Sequence, residues 1–276
     1  MTSVWVNGRR GKTLDVSEYI DGSPWEGDYA TFNMMIYGEP GEGKTPLLGT
    51  VVDVPSMLPA LLIDCDAGTL SIREKDGLNT LHLSKMAAGL SSEGKEVTPW
   101  RALEEAYRWL SQEEHNYKTI MLDGGSEIQR YCELECIAFG IERKQSGDHD
   151  PELAELADYR RIHERMKRMY MRFRDIQTKD GRSINFLATA HEGKAKDEVS
   201  GKMHIQPLFM GKAAVLISSV FDIIGRLTTA DVSSKKDVKV LVPSVNGTAR
   251  GRDRSGSLGT HIEDPTLSKI VEKIRS

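Results

Sequence analysis

The chain has 276 residues, of which 28% are charged and 39% hydrophobic, and its net charge is −4. This is an ordinary soluble composition, long enough for one substantial core. It argues against indiscriminate coating of nucleic acid without excluding a local basic site, and no apolar run reaches the roughly 18 residues that a membrane-spanning helix needs.

Residues 1–30 show little periodicity and several turn formers, such as Asp21-Gly22-Ser23-Pro24, which predicts an N-terminal arm or small lid. Met1 to Lys12 is polar and lacks the apolar centre of a secretory signal. Cys65, Cys132 and Cys136 make no disulfide framework. A cytoplasmic location is therefore expected. Cys132 and Cys136 lie on a predicted helix without further zinc ligands nearby, so buried thiols are expected.

The core is expected over 31–258. It opens with the apolar run Phe32–Tyr37, a strand, and then Gly38-Glu39-Pro40-Gly41-Glu42-Gly43-Lys44-Thr45. This reads G-x-x-x-x-G-K-T, the phosphate-binding P-loop, which chance would place in roughly one chain in a hundred of this length. Glycines let backbone N–H groups wrap a pyrophosphate, Lys44 reaches the β- and γ-phosphates, and the Thr45 hydroxyl binds Mg²⁺. Pro46 closes the binding segment without an N–H, so one phosphate contact is absent and ATP should bind more weakly than usual. Leu47, Leu48, Val51 and Val52 suit a helix.

Pro59–Asp64 predicts a buried strand, followed by Cys65 and Asp66. Thr80–Leu83 reads as a short strand, 89–97 as a loop, and 100–110 as a helix with Leu103, Ala106, Tyr107 and Leu110 on one face. Lys118–Asp123 repeats the strand-then-acid pattern. Asp123, at the end of a strand where open α/β sheets bind ligands, is the candidate Mg²⁺ partner. Asp66 is the first choice to orient the attacking water, and Asp64 the second.

A helix is expected over 126–139, and another from Asp150-Pro151 to about 176. The second carries Arg160, Arg161, Arg165, Lys167, Arg168, Arg172 and Arg174 against Glu164, either a phosphate-binding face or a solvated one. Tyr170 and Phe173 on it could stack bases, but their spacing fits a core better. The strand 183–190 ends in Ala190-His191-Glu192, with His191 the candidate γ-phosphate sensor. A loop over 193–212 follows, with a short strand at 203–205; its Lys194, Lys196 and Lys202 are candidate DNA contacts beside Lys212. A helix at 212–220, strands at 221–227 and 238–242, and a glycine- and arginine-rich loop at 246–259 complete the core. Arg250, Arg252 and Arg254 in that loop are candidate arginine fingers acting across a subunit boundary. Residues 259–276 are set apart as a C-terminal helix and tail. Alternating strands and helices predict an α/β fold with a mostly parallel central sheet.

Taken in this order, the motifs resemble the RecA-like ATPases, most closely the phage-encoded ones grouped with the Sak single-strand annealing proteins. The resemblance runs from Thr31 to Leu258 and rests on Gly38–Thr45, Leu62–Asp66, Ile120–Asp123, Thr189–Glu192, Phe221–Ile224 and Arg252–Arg254. It implies a RecA-like P-loop core that uses ATP and Mg²⁺, binds single-stranded DNA, and promotes annealing or strand exchange in phage recombination. It also implies a homo-oligomer with ATP sites at its interfaces, a single-strand DNA-binding protein as a further partner, and a place in the host cytoplasm. By motif the catalytic carboxylate falls on Asp66, where the longer glutamate is usual, and the DNA-contacting loops fall near 140–152 and 193–210. Two other classes stay open: a P-loop switch or loader working through protein partners, and a nucleotide or small-metabolite kinase.

Overall fold

The computed structural model describes residues 2–6, 9–14, 31–72, 75–92, 96–143, 156–196, 201–232, 235–244 and 248–276. The chain divides into two compact units, 1–30 and 31–276. The first holds an antiparallel hairpin, β1 (Thr2–Val6) with β2 (Arg9–Leu14), whose register shifts between Ser3 and Trp5. The turn formers Asp21–Pro24 lie outside the described residues.

Among the described residues, the second unit is built on a ten-stranded sheet. Its centre is parallel throughout. In order lie β5 (Leu78–His82), β4 (Ala60–Asp64), β6 (Thr119–Asp123), β7 (Asn185–Lys196), β3 (Asn33–Gly38) and β9 (Ile223–Val232). β10 (Lys235–Val242) and β12 (Ile262–Glu263) extend the β9 edge antiparallel. β11 (Arg252–Asp253) pairs with the start of β9, and β8 (Met203–Pro207) turns back along the end of β7. Every residue of β4 and β6 is buried, which is why both read as continuous apolar runs: helices cover both faces of the sheet.

Alternation along β3 divides the core. Met35 and Tyr37 face one cluster, Met34 and Ile36 the other. The first face is covered by α2 (Leu83–Leu90), α3 (Pro99–Gln112), α4 (Gly125–Arg143), α5 (Leu156–Arg174) and α6 (Ala213–Ser218), packed around Trp100, Tyr170, Phe173, Phe186 and Phe221. The second is covered by α1 (Lys44–Gly49) and α7 (Leu267–Arg275), with Leu48, Val51, Leu267 and Ile270 at the contact. Pro99 at the first position and the Thr98 hydroxyl, which accepts from the Arg101 N–H at 3.3 Å, start α3.

The structure departs from the sequence expectation in four places. Residues 83–90 form α2. The region around 193–210 is a β-arm of β7 and β8 rather than a loop. The C-terminal helix expected within 259–276 is present as α7, and it is packed with the core: β12 pairs with β10, and α7 buries Leu267, Ile270 and Val271 in the same compact unit as the P-loop. The basic helix α5 is a packing layer. Arg161 bonds Asp158 at 2.9 Å and lies over Phe139, and Arg165 bonds Glu104 at 3.2 Å and lies over Trp100. Arg172 lies over Tyr107, and Arg174 pairs with Asp175. Tyr170 and Phe173 are fully in the core. The Asp150-Pro151 helix start and much of the 140–152 segment lie outside the described residues.

Candidate nucleotide-binding site

β3 delivers the P-loop at the carboxyl end of the sheet. Its last residue must be glycine, because a Cβ on Gly38 would stand 2.3 Å from the carbonyl oxygen of Leu227 on β9. Gly41 and Gly43 take φ of +84° and +94°, the left-handed backbone that turns successive N–H groups into one concavity. Lys44 Nζ donates to the carbonyls of Gly38 and Glu39, each at 2.9 Å, and so spans the loop. The Glu42 carboxylate is turned to the β9–β10 hairpin, accepting from Lys239 Nζ at 2.6 Å and Thr229 Oγ1 at 3.0 Å. Burial alone would push Glu42 up, but these two donors outweigh it and hold the carboxyl below its ordinary value. Pro46 is exposed within α1, and Leu47 N donates back to Gly43 O at 3.0 Å.

Beneath the loop lies a hydrogen-bonded row. Asp123, 1% exposed at the end of β6, accepts from Thr45 Oγ1 at 2.6 Å and from Thr189 Oγ1 at 2.5 Å. The Gly124 N–H donates to Thr189 Oγ1 at 3.0 Å and fixes that hydroxyl's direction. Burial pushes the Asp123 carboxyl above the usual carboxylate range, against the two hydroxyl bonds, and Asp66 and Asp64 add to the rise. Burial pushes the Lys44 ammonium down, with Asp123 and Asp66 acting the other way. An acid raised and a base lowered by burial, close enough to act on one another, are the pattern expected of a functional site.

The donor set fits Mg²⁺: one hydroxyl and one carboxylate, both hard oxygens, beside a glycine loop suited to phosphate oxygens. Among the described residues no group of three or more His, Cys, Asp or Glu could hold a metal alone. An ion here would take its remaining ligands from phosphate and water, as Mg²⁺ does.

The other predicted residues fall in three groups. Asp66 follows β4, is exposed, and stands beside Gly124, whose Cβ would lie 3.2 Å from that of Asp66. Asp64 is buried and bonded to Thr69 and His82, so Asp66 is the carboxylate left facing the site. His191 is in register with Gly38 on the adjacent strand; its N–H donates to Ser126 Oγ at 3.1 Å, and its Nδ1 is buried without a partner. Lys194 and Lys196 are exposed on the arm, beyond the residues of β7 that pair with β3, and Lys202 is exposed just before β8.

The arginines are elsewhere. Arg252 donates to the carbonyls of Ser218 and Phe221, and Arg254 pairs with Asp222 at 2.9 Å, at the opposite end of β3 from the P-loop. The structure therefore does not bring them to the phosphate loop of their own chain. Arg250 enters through its backbone, accepting from Tyr37 OH at 2.5 Å. Sequence reasoning missed the role of Thr189 as the second hydroxyl on Asp123, and missed Lys239 and Thr229 entirely. Only the position of Thr189 near the end of a buried strand offered a signal.

The AAA-domain family matches residues 30–255 of the chain. No curated protein matches it. Among solved structures it is similar to an ATPase from the type III secretion system of pathogenic bacteria, at 15% identity and a TM-score of 0.42, over 71% of this chain and 52% of that one. It is similar to the flagellar accessory protein FlaH from Methanocaldococcus jannaschii, at 11% identity and a TM-score of 0.39, over 76% of each. It is also similar to the RadB recombinase, at 15% identity and a TM-score of 0.36, over 76% of this chain and 79% of that one. The chain spans about half the length of the secretion ATPase. With the family match covering the P-loop, Asp123 and β7 as far as His191 in one stretch, the chain belongs to the AAA-domain family.

Proposed function

We propose that this chain hydrolyses ATP with Mg²⁺, binds single-stranded DNA, and promotes annealing or strand exchange in phage recombination. The observation that carries the hydrolytic half is the Thr45–Asp123–Thr189 row beneath the glycine loop. Lys44 and the loop N–H groups hold the β- and γ-phosphates, while Thr45 and Asp123 hold the ion. Bound Mg²⁺ supplies charge neutralisation at the phosphates. Asp66 takes the proton of the attacking water as its oxygen bonds the γ-phosphorus and the bond to the β-phosphate oxygen breaks, releasing ADP and phosphate. His191, on the strand beside the P-loop, stands where it can report that change to the arm.

The DNA half is supported by the resemblance of the motifs and by the arm itself. Lys194 and Lys196, two apart on a strand, share one face and extend from the strand that carries His191. That arrangement suits a run of backbone phosphates. A homo-oligomer with nucleotide at its interfaces is the assembly this reading expects.

The test is phosphate release from Mg²⁺ and ATP with and without a single-stranded oligonucleotide, using Lys44→Ala as the blank. DNA stimulation that vanishes in the blank is expected. So is salt-sensitive binding whose log–log slope falls by about 0.7 for each of Lys194 and Lys196 changed to Glu. Hydrolysis indifferent to DNA, with no oligonucleotide binding at low salt, would replace this reading by the switch or loader acting through protein partners.

A further inference from the structure

We propose that His82 is a positioning residue for hydrolysis, acting through Asp64 on the turn that carries Asp66; this rests on Asp66 being the group that takes the water's proton. β4 and β5 run parallel with Asp64 opposite His82. The imidazole Nδ1 lies 2.8 Å from Asp64 Oδ2, the histidine side chain 36% exposed and the carboxylate 1%. The same Oδ2 accepts from Thr69 Oγ1 at 3.1 Å, and Oδ1 accepts from the Gly68 N–H at 3.3 Å. That N–H is shared: it also donates to Asp66 Oδ1 at 3.1 Å. One buried carboxylate thus holds both ends of the turn and the amide that orients Asp66.

The turn needs holding. Ala67 has φ of +61°, a left-handed conformation that a residue with a Cβ keeps only where its surroundings impose it. A Cβ on Gly68 would stand 2.9 Å from Asp66 Oδ1, so a larger residue there would shift that carboxylate. In the tautomer with its proton on Nδ1, His82 donates to Asp64 and directs that carboxylate from the neighbouring strand. Its hydrogen bond to the turn runs to Asp64, so it acts through that carboxylate as a positioning residue.

The experiment compares His82→Ala, His82→Asn and His82→Gln in steady-state ATP hydrolysis and in binding of a fluorescent ADP analogue. The alanine variant should lose kcat by about tenfold to hundredfold, the scale of a misplaced catalytic group, with KM for ATP and ADP affinity within about twofold of wild type. The amide nitrogen of Asn stands near the place of Nδ1 and should restore most of kcat; that of Gln stands near Nε2 and should not. Should the alanine variant fail to fold, the Asn–Gln contrast still decides. Equal kcat for Asn and Gln, or a fall in melting temperature with kcat unchanged, overturns the proposal. Asp66→Asn separates the two levels. If that variant keeps wild-type kcat, the assignment of Asp66 fails; if it loses kcat while His82→Ala keeps it, only the role of His82 fails.

Discussion

At the Asn33 end of β3, Asn33 Nδ2 donates to Asp222 Oδ2 at 3.1 Å, Arg254 pairs with the other oxygen of Asp222, and Arg252 is taken up by two carbonyls. At the Gly38 end, Lys44, Thr45, Asp66, Asp123 and Thr189 gather under a glycine loop, with Asp123 pushed up and Lys44 pushed down by burial. The polar groups at the first end satisfy one another and fasten the 250–254 segment to the sheet. Those at the second end are held by burial against their charged forms, the imbalance that the proposed nucleotide and ion would relieve. Saturated pairs build the scaffold, and under-compensated ones mark the site.

The largest effect expected from breaking this contrast is at Lys44. Lys44→Ala should lower phosphate release by about 10²–10³-fold, as removal of a transition-state donor does, while a thermal melt without nucleotide shows no loss of stability. A destabilised variant would mean that the lysine is scaffold. Next comes Asp123→Asn, which should abolish Mg²⁺-dependent hydrolysis and raise the melting temperature at neutral pH by a few degrees, on the order of 1 kcal/mol. The sign follows from linkage: a folded-state carboxyl pKa above its unfolded value costs stability at high pH, and that cost fades as pH falls through the raised value. The melting advantage of the asparagine should therefore shrink on acidification; an advantage independent of pH would remove its electrostatic origin.

Smaller effects are expected at the other end. Arg254→Ala removes an exposed pair worth about 0.2–1 kcal/mol, and Arg252→Ala removes hydrogen bonds of about 1 kcal/mol. Both should show in chemical denaturation and leave hydrolysis per folded molecule unchanged. A drop in hydrolysis at unaltered stability would instead place these arginines at a neighbouring subunit's nucleotide. The smallest change is Pro46→Thr. It restores one N–H at an exposed helical position and should tighten ATP about twofold to tenfold by calorimetry, the worth of one hydrogen bond.

What sequence revealed and what it hid divide along the same line. The P-loop was legible because its backbone geometry demands glycine at fixed offsets, and the buried strands because parallel strands covered on both faces read as apolar runs. Asp123 followed from its place at a strand end. The partners of Arg254 and Glu42 were not legible, since they lie 32 and 197 positions away. Nothing in composition separates an arginine that answers Asp222 from one that answers a phosphate. Residues 193–210 looked like a loop because charged residues and Gly193 and Gly201 interrupt any apolar run, although Lys194 and Lys196 already alternate as a strand does. Helix α2 was hidden by its shortness, whereas α7 was expected as a helix and only its packing against the P-loop helix was not legible.

That last helix has a consequence for how the molecule is made. Leu267 N donates to Thr50 Oγ1 just past α1, across 217 positions of sequence, and Leu267 and Ile270 pack on the same cluster as Leu48 and Val51. A ribosome takes on the order of 10–40 s to add that many residues. Throughout that interval the nascent segment holding Lys44 has every residue of its motif but lacks the packing that α7 supplies. The packing around the P-loop helix is thus completed late in synthesis, and a chain ending before Leu267 is expected to melt at a lower temperature than one that carries α7.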